Sequence, residues 1–135
     1  MALGEISMNI LIEEKFINNF IVKAKRKRLL YELTSSKKRA DAIQKIPSAL
    51  DDKYLFFSGK IAIEKLNDIF LMQHQTDSYV ISDDCDDGKI IDNKQAIKGI
   101  IETSGLYITF CDNLVVLKEE YVAGAFSVAV YIKSW

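Results

Sequence analysis

The spacing of the apolar residues changes from a helical period to a strand period along the chain, and this change constrains the fold most. Over residues 10–24 the apolar residues recur at helical spacing, as in a helix with one buried side. Over residues 106–110 and 124–132 they alternate, as in strands. Helices first and strands last predict an α+β domain, with N-terminal helices packed on one face of a mostly antiparallel C-terminal sheet.

Capping residues and shorter apolar runs predict the remaining elements. Three further helices are expected: one after Thr34 that ends near Ile46 before the only proline, one from Ser58 to about Met72, and one from Asp92 or Asn93 to Gly105. Short strands are expected at residues 54–57, 78–82 and 114–118. No linker or repeat separates these elements, so we expect a single domain over residues 1–135.

The composition is that of an ordinary globular protein. With 135 residues, of which 49% are apolar, the chain can bury a core without disulfides. Met8 is an alternative start, which would make residues 1–7 a disordered leader. Neither a signal peptide nor a membrane span is recognisable, and Cys85 and Cys111 lack metal-ligand spacing. We therefore expect a cytoplasmic protein with two unpaired thiols and no cofactor.

Charge is distributed unevenly along the chain. The net charge of −1 is the sum of −2 over residues 1–22, +7 over residues 23–45 and −6 over residues 46–135. Separated charges favour docking onto a charged partner or self-association. Alternatively, the two blocks neutralise each other within the folded molecule.

The basic block supports one functional hypothesis. A basic cluster is defined by Lys25, Arg26, Arg28, Lys37, Lys38 and Arg39. Clustered Lys and Arg bind phosphates without sequence preference, so this cluster predicts a nucleic-acid-associated protein. Tyr31 is the only aromatic residue within the block. A surface that stacks on nucleic-acid bases usually has more aromatic side chains.

Two interpretations of residues 10–33 stay open. Either the helix breaks near residues 25–27, or it continues with two apolar faces, of which the second would suit a homodimer. In a continuous helix Arg28 lies on the apolar stripe of Ile17 and needs a carboxylate partner. Alternatively, its aliphatic stem packs and its guanidinium reaches solvent.

Acidic residues and tyrosines of the C-terminal part define a second candidate surface. We assign to this acidic surface Asp83, Asp84, Asp86, Asp87, Asp112, Glu119, Glu120, Tyr79 and Tyr121. Its carboxylates would steer a basic partner and its tyrosines, with Tyr107 and Tyr131 as further candidates, would anchor it. In being small, single-domain by sequence and free of catalytic motifs, the chain is similar to bacterial immunity proteins. These are small cytoplasmic proteins that neutralise a toxin domain. This resemblance implies a basic toxin or enzyme domain as the partner.

Motifs for catalysis and metal binding are incomplete. Asp83, Asp87 and Gly88 fit a calcium-binding EF-hand loop, but Cys85 and Lys94 replace two of its ligands. There is one histidine, and no nucleophile elbow, P-loop or dinucleotide fingerprint. We therefore predict no catalytic residue and no metal ligand, and we favour protein binding. A metal-dependent hydrolase built on residues 83–92 is the least favoured alternative.

Overall fold

A computed structural model describes residues 3–118 and 127–133, with side chains described from Ile10 onward. The chain divides into two compact units, Met1–Lys53 and Tyr54–Trp135. Among the described residues, the first unit is helical and the second combines a six-stranded antiparallel sheet with two helices. The predicted α+β class, with most helices ahead of an antiparallel sheet, is confirmed. The single domain stays a prediction.

The first helix of the first unit ends earlier than a continuous apolar pattern would suggest. Helix α1 spans Leu3–Phe20, and the next two residues leave the helix. Ile21 forms an antiparallel bridge with Leu50, and the Val22 N–H donates to the Ala49 carbonyl at 2.9 Å. Ile21 and Val22 are β-branched residues, which favour an extended backbone. Of the two interpretations of residues 10–33, the break is therefore the correct one, although it lies at Ile21 and Val22 and not near residues 25–27.

Two shorter helices complete the described part of this unit. A 3-10 turn, Lys23–Lys25, leads into α2, Arg26–Leu33, on which Leu29 and Leu33 are buried. Helix α3 spans Arg39–Ala49 and buries Ile43 and Ile46, whereas Ala40, which has the helical spacing of the same apolar face, is exposed. The helix was expected to stop before Pro47 but includes it. Proline removes one helical N–H donor, and the last turn of this helix accommodates that loss.

The second unit is built on a sheet whose strand order is β1-β6-β5-β4-β2-β3, with every pairing antiparallel. Its strands are β1 Leu55–Lys60, β2 Asp77–Ser82, β3 Ile90–Asp92, β4 Tyr107–Cys111, β5 Leu114–Lys118 and β6 Ser127–Ile132. Asp112 adopts φ 55° in the turn between β4 and β5, a left-handed conformation that Asp tolerates. The strands predicted at residues 106–110 and 114–118 are confirmed, and they pair as a hairpin.

Helices α4, Ile63–Leu71, and α5, Asn93–Glu102, pack on one face of this sheet. The shared core consists of Leu66, Phe70, Val80, Ala96, Ile97, Ile100, Tyr107, Leu114, Val116, Val128 and Val130. Asp92 caps α5 as predicted, because its side chain accepts a hydrogen bond from the Gln95 N–H at 2.9 Å. Val128 and Val130 share a face, as their alternation predicts, whereas Phe126 lies outside the described residues.

Some predicted boundaries in this unit were wrong. Ser58 does not cap a helix, because β1 continues to Lys60 through hydrogen bonds with β6, and α4 begins only at Ile63. Helix α5 ends at Glu102 rather than at Gly105. The short strand β3 was missed, since three residues give no readable alternation. No helix within the described ranges is long and apolar enough to cross a membrane.

Candidate functional site

Residues 83–89, four of which are aspartates, form the turn between β2 and β3. We call this turn the acidic hairpin loop. Its ends are joined by backbone hydrogen bonds between Val80 and Lys89 at 2.9 Å and between Gly88 and Val80 at 2.8 Å. Gly88 has φ 78°, a left-handed conformation that glycine adopts without steric cost. The loop therefore has a defined backbone.

Three carboxylates of the loop accept hydrogen bonds from the surrounding structure. Asp87 accepts from the Ser82 N–H at 3.2 Å, and Asp86 accepts from the Tyr107 hydroxyl at 2.9 Å. Asp84 accepts from the Cys85 N–H and from the Thr103 hydroxyl. These bonds fix the positions of negative charges that would otherwise move freely on a long turn.

Tyr107 fixes the loop to the hydrophobic core. Its side chain is fully buried, and a Cβ atom at Gly99 of α5 would lie 2.3 Å from its ring. Only glycine at position 99 thus leaves room for the ring. Burial, and then the hydrogen bond to Asp86, raises the pKa of Tyr107. The phenol therefore remains a proton donor to Asp86 throughout the physiological pH range.

The outer part of the loop carries exposed negative charge. Asp83 and Asp84 are exposed, whereas Asp86 and Asp87 are half-buried. Hydrogen bonds from Cys85 hold the pKa of Asp84 below its usual value, and Lys89 acts in the same direction. The neighbouring Asp84 raises the pKa of the exposed Cys85 thiol. At neutral pH the tip is therefore anionic and its thiol is protonated.

The structure brings together only part of the predicted acidic surface. Tyr79 is 3% exposed, so its assignment to an exposed surface was wrong; residues Ser78 to Ser82 of β2 are buried on both faces of the strand. Asp112 follows the C-terminal end of β4, where Phe110 pairs with Tyr79. The acidic hairpin loop lies at the other end of β4, near Tyr107. Glu119, Glu120 and Tyr121 lie outside the described residues.

The two further tyrosine candidates are buried as well. Tyr107 is 0% and Tyr131 is 6% exposed, so neither can anchor a partner without rearrangement of the sheet. The acidic surface thus consists, among the described residues, of the four aspartates of the acidic hairpin loop.

Metal-binding and nucleophilic groups are scattered in the described part of the chain. No group of three or more His, Cys, Asp and Glu side chains there is arranged to hold a metal ion. Cys111 is buried and donates its thiol towards the Gln75 carbonyl, and burial raises its pKa. Cys85 is exposed, and so is His74.

Arg39 and Arg26 of the basic cluster form close contacts within the helical unit. Arg39 forms a bidentate ion pair with Glu13, with N–O distances of 2.9 and 2.7 Å, and Glu13 is only 3% exposed. Arg26 donates to the Ile21 carbonyl at 2.8 Å, at the point where the chain leaves α1. These two cations stabilise the helical unit and are poorly placed to bind phosphate.

The other members of the basic cluster lie at the surface. Lys37 and Lys38 are exposed, and the Lys38 ammonium lies 5.0 Å from the centroid of the Tyr31 ring. The Arg28 side chain is 83% exposed and lies 3.9 Å from Glu32, one helical turn ahead. Arg28 is therefore a solvent-exposed cation, not a buried one.

A cavity of about 470 Å³ lies beside α2 in the first unit. It is lined by Ala24, Lys25, Arg28, Leu29, Glu32, Lys45, Ser48 and Ala49. Lys45 and Glu32 were not identified from the sequence, although the spacing of Arg28 and Glu32 is that of a helical ion pair. Lys45 comes from α3, so no local pattern could have placed it here. We call this the cationic cavity.

No protein family, characterised protein or solved structure matches the chain. Functional inference therefore depends on the residues themselves.

Proposed function

We propose that this protein is a binding module whose acidic hairpin loop docks onto a basic surface of a protein partner. The observation that carries the proposal is the internal hydrogen bonding of Asp84, Asp86 and Asp87, which holds a negative tip in one conformation. A preorganised charged tip loses little entropy on binding and steers a partner of opposite charge.

The chemistry of the loop limits the class of partner. Asp83 and Asp84 present carboxylates to solvent, and nucleic acid would be repelled by them. The complementary groups are Lys and Arg side chains, which form charge-assisted hydrogen bonds with carboxylates. A basic toxin or enzyme domain, neutralised in the cytoplasm by this protein, is the specific form of the proposal.

The nucleic-acid hypothesis is less well supported by the geometry. Arg26 and Arg39 are engaged within the helical unit, which leaves Lys25, Arg28, Lys37 and Lys38 as exposed cations. The homodimer hypothesis loses its main support as well, because α1 breaks at Ile21 instead of continuing with two apolar faces. Both hypotheses become outcomes of the experiment below.

The test is purification of the tagged protein from its native cells, followed by association kinetics with the polypeptide that co-purifies. We expect the double variant Asp83→Asn/Asp84→Asn to associate about tenfold more slowly at low salt, with little change at high salt. Asn keeps the size of the Asp side chain and one of its two acceptor oxygens while it removes the charge, so the fold should persist.

The matched control is Glu64→Gln/Asp68→Asn, which removes two exposed carboxylates from α4 in the same unit. Association of this control should match the wild type. Equal slowing by both variants would show a dependence on net charge alone and contradict docking by the loop. Recovery of nucleic acid that is lost at high salt would favour the basic cluster, and self-association without a second polypeptide would favour a homodimer.

For the toxin-specific form, the partner is expressed in cells with and without this protein. We expect growth to depend on co-expression of the wild type, and protection to weaken with Asp83→Asn/Asp84→Asn. A partner that is harmless on its own would contradict this form and leave the binding proposal standing.

A further inference from the structure

The cationic cavity combines converging positive charges with an apolar floor. It lies between the 3-10 turn with α2 on one side and the C-terminal half of α3 on the other, and all its lining residues belong to the first unit. Its volume of about 470 Å³ falls within the range of small-molecule sites. Leu29 and Ala49 are almost completely buried and form part of the lining.

The charges around the cavity do not balance. Three cations, Lys25, Arg28 and Lys45, face a single carboxylate, Glu32, which leaves a surplus of two positive charges. The Lys45 ammonium lies 3.2 Å from the Glu32 carboxylate, and the Arg28 Nε lies 3.9 Å from it. Glu32 thus keeps both Lys45 and Arg28 beside the cavity, but its single negative charge balances only one of these two positive charges.

Lys25 belongs to the 3-10 turn and reaches across to the end of α3. Its ammonium lies 3.4 Å from the Ser48 carbonyl, so the 3-10 turn and the end of α3 meet across the opening. The Glu32 side chain is 12% exposed, and both of its carboxylate oxygens lie 3.2 Å from the Lys45 ammonium. Cations from three separate segments therefore surround one concave space.

We propose that the cationic cavity binds a small phosphate monoester. A phosphate dianion matches the surplus of two positive charges, and Arg28 offers the planar donor pair that suits phosphate oxygens. The organic part of the ester packs against Leu29 and Ala49, and one of its hydroxyls donates to Glu32. This site is separate from the acidic hairpin loop and does not depend on the function proposed for it.

The test is an NMR titration of the full chain with inorganic phosphate and with glucose 6-phosphate, with glucose as the uncharged control. We expect both phosphates to shift the backbone signals of Lys25, Leu29 and Ser48, with tighter binding of the ester. Glucose alone should shift none. In Lys25→Gln/Arg28→Gln we expect the dissociation constants to rise at least tenfold.

The matched control is Lys37→Gln/Lys38→Gln, which removes two exposed cations of the basic cluster that do not line the cavity. This variant should bind like the wild type. Equal weakening by both double variants, or an absence of saturable shifts, would overturn the proposal. Tighter binding of a single-stranded oligonucleotide that needs Lys37 and Lys38 would also overturn it, in favour of an extended nucleic-acid surface.

Discussion

Tyr107 lies where the acidic hairpin loop, β4 and α5 meet. Its position on β4 follows from the alternation of residues 106–110, which the sequence shows directly. Its burial does not, because the ring fits only against Gly99, a residue of another element. From the sequence, Tyr107 is therefore a candidate for partner binding, and its role in holding the loop is not visible there. A close approach between distant residues leaves no local pattern.

Removal of the Tyr107 hydroxyl should loosen the loop and leave the core intact. Tyr107→Phe keeps the ring but removes the donor to Asp86, so we expect a loss of about 1–2 kcal/mol in the free energy of unfolding. Denaturant unfolding measures this loss. The control is Tyr31→Phe, since Tyr31 is 61% exposed. A loss no larger than that of the control would contradict the structural role of the hydroxyl.

The same residue predicts a pH dependence. The folded state raises the pKa of Tyr107, so the folded chain holds this proton more tightly than the unfolded chain. The resulting stability is complete below the ordinary pKa of 10.0 and is lost as the pH rises above it. We expect the unfolding free energy of the wild type to fall more steeply in this range than that of Tyr107→Phe. Parallel pH profiles would contradict this account.

At the scale of elements, the helices and strands were largely predictable but their ends and partners were not. Lys37, Lys38 and Arg39 lie at the N-terminal end of α3, where cations oppose the helix dipole, and the sequence alone gives no reason for their presence. Arg39 has one, because it bonds both Glu13 of α1 and the Leu33 carbonyl at the end of α2. Likewise, α1 ends at Phe20 because of pairing with residues near Leu50, which only the tertiary structure reveals.

Arg39→Gln should destabilise the helical unit. The substitution leaves the buried Glu13 carboxylate without its bidentate partner, and we expect a loss of about 2–3 kcal/mol. Thermal and denaturant unfolding measure this loss. The double variant Glu13→Gln/Arg39→Gln should be more stable than the sum of the single variants predicts. If Arg39→Gln unfolds like the exposed control Lys37→Gln, the ion pair does not support the unit.

At the scale of the whole molecule, the chain forms a helical unit and a sheet unit, although its composition and lack of linkers predict one domain. If the chain is a single domain, both units should unfold together. Hydrogen exchange at increasing denaturant would compare amides of α1 and α3 with those of β4 and β5. We expect the slowest amides of both units to report the same free energy of opening. A lower value for either unit would establish two independent domains.

The order of the strands also bears on how the chain is made. Strand β1 is the first strand to leave the ribosome, yet it pairs with β6, the last described strand, and at an edge it has no other partner in the described sheet. The described helices α1, α2 and α3 all precede β1 and are synthesised before it. The apolar Leu55 and Phe57 of β1, however, stay unpaired until their partners on β6, Tyr131 and Val130, have been synthesised. Synthesis thus includes an interval in which this edge is open to chaperones or to a neighbouring nascent chain.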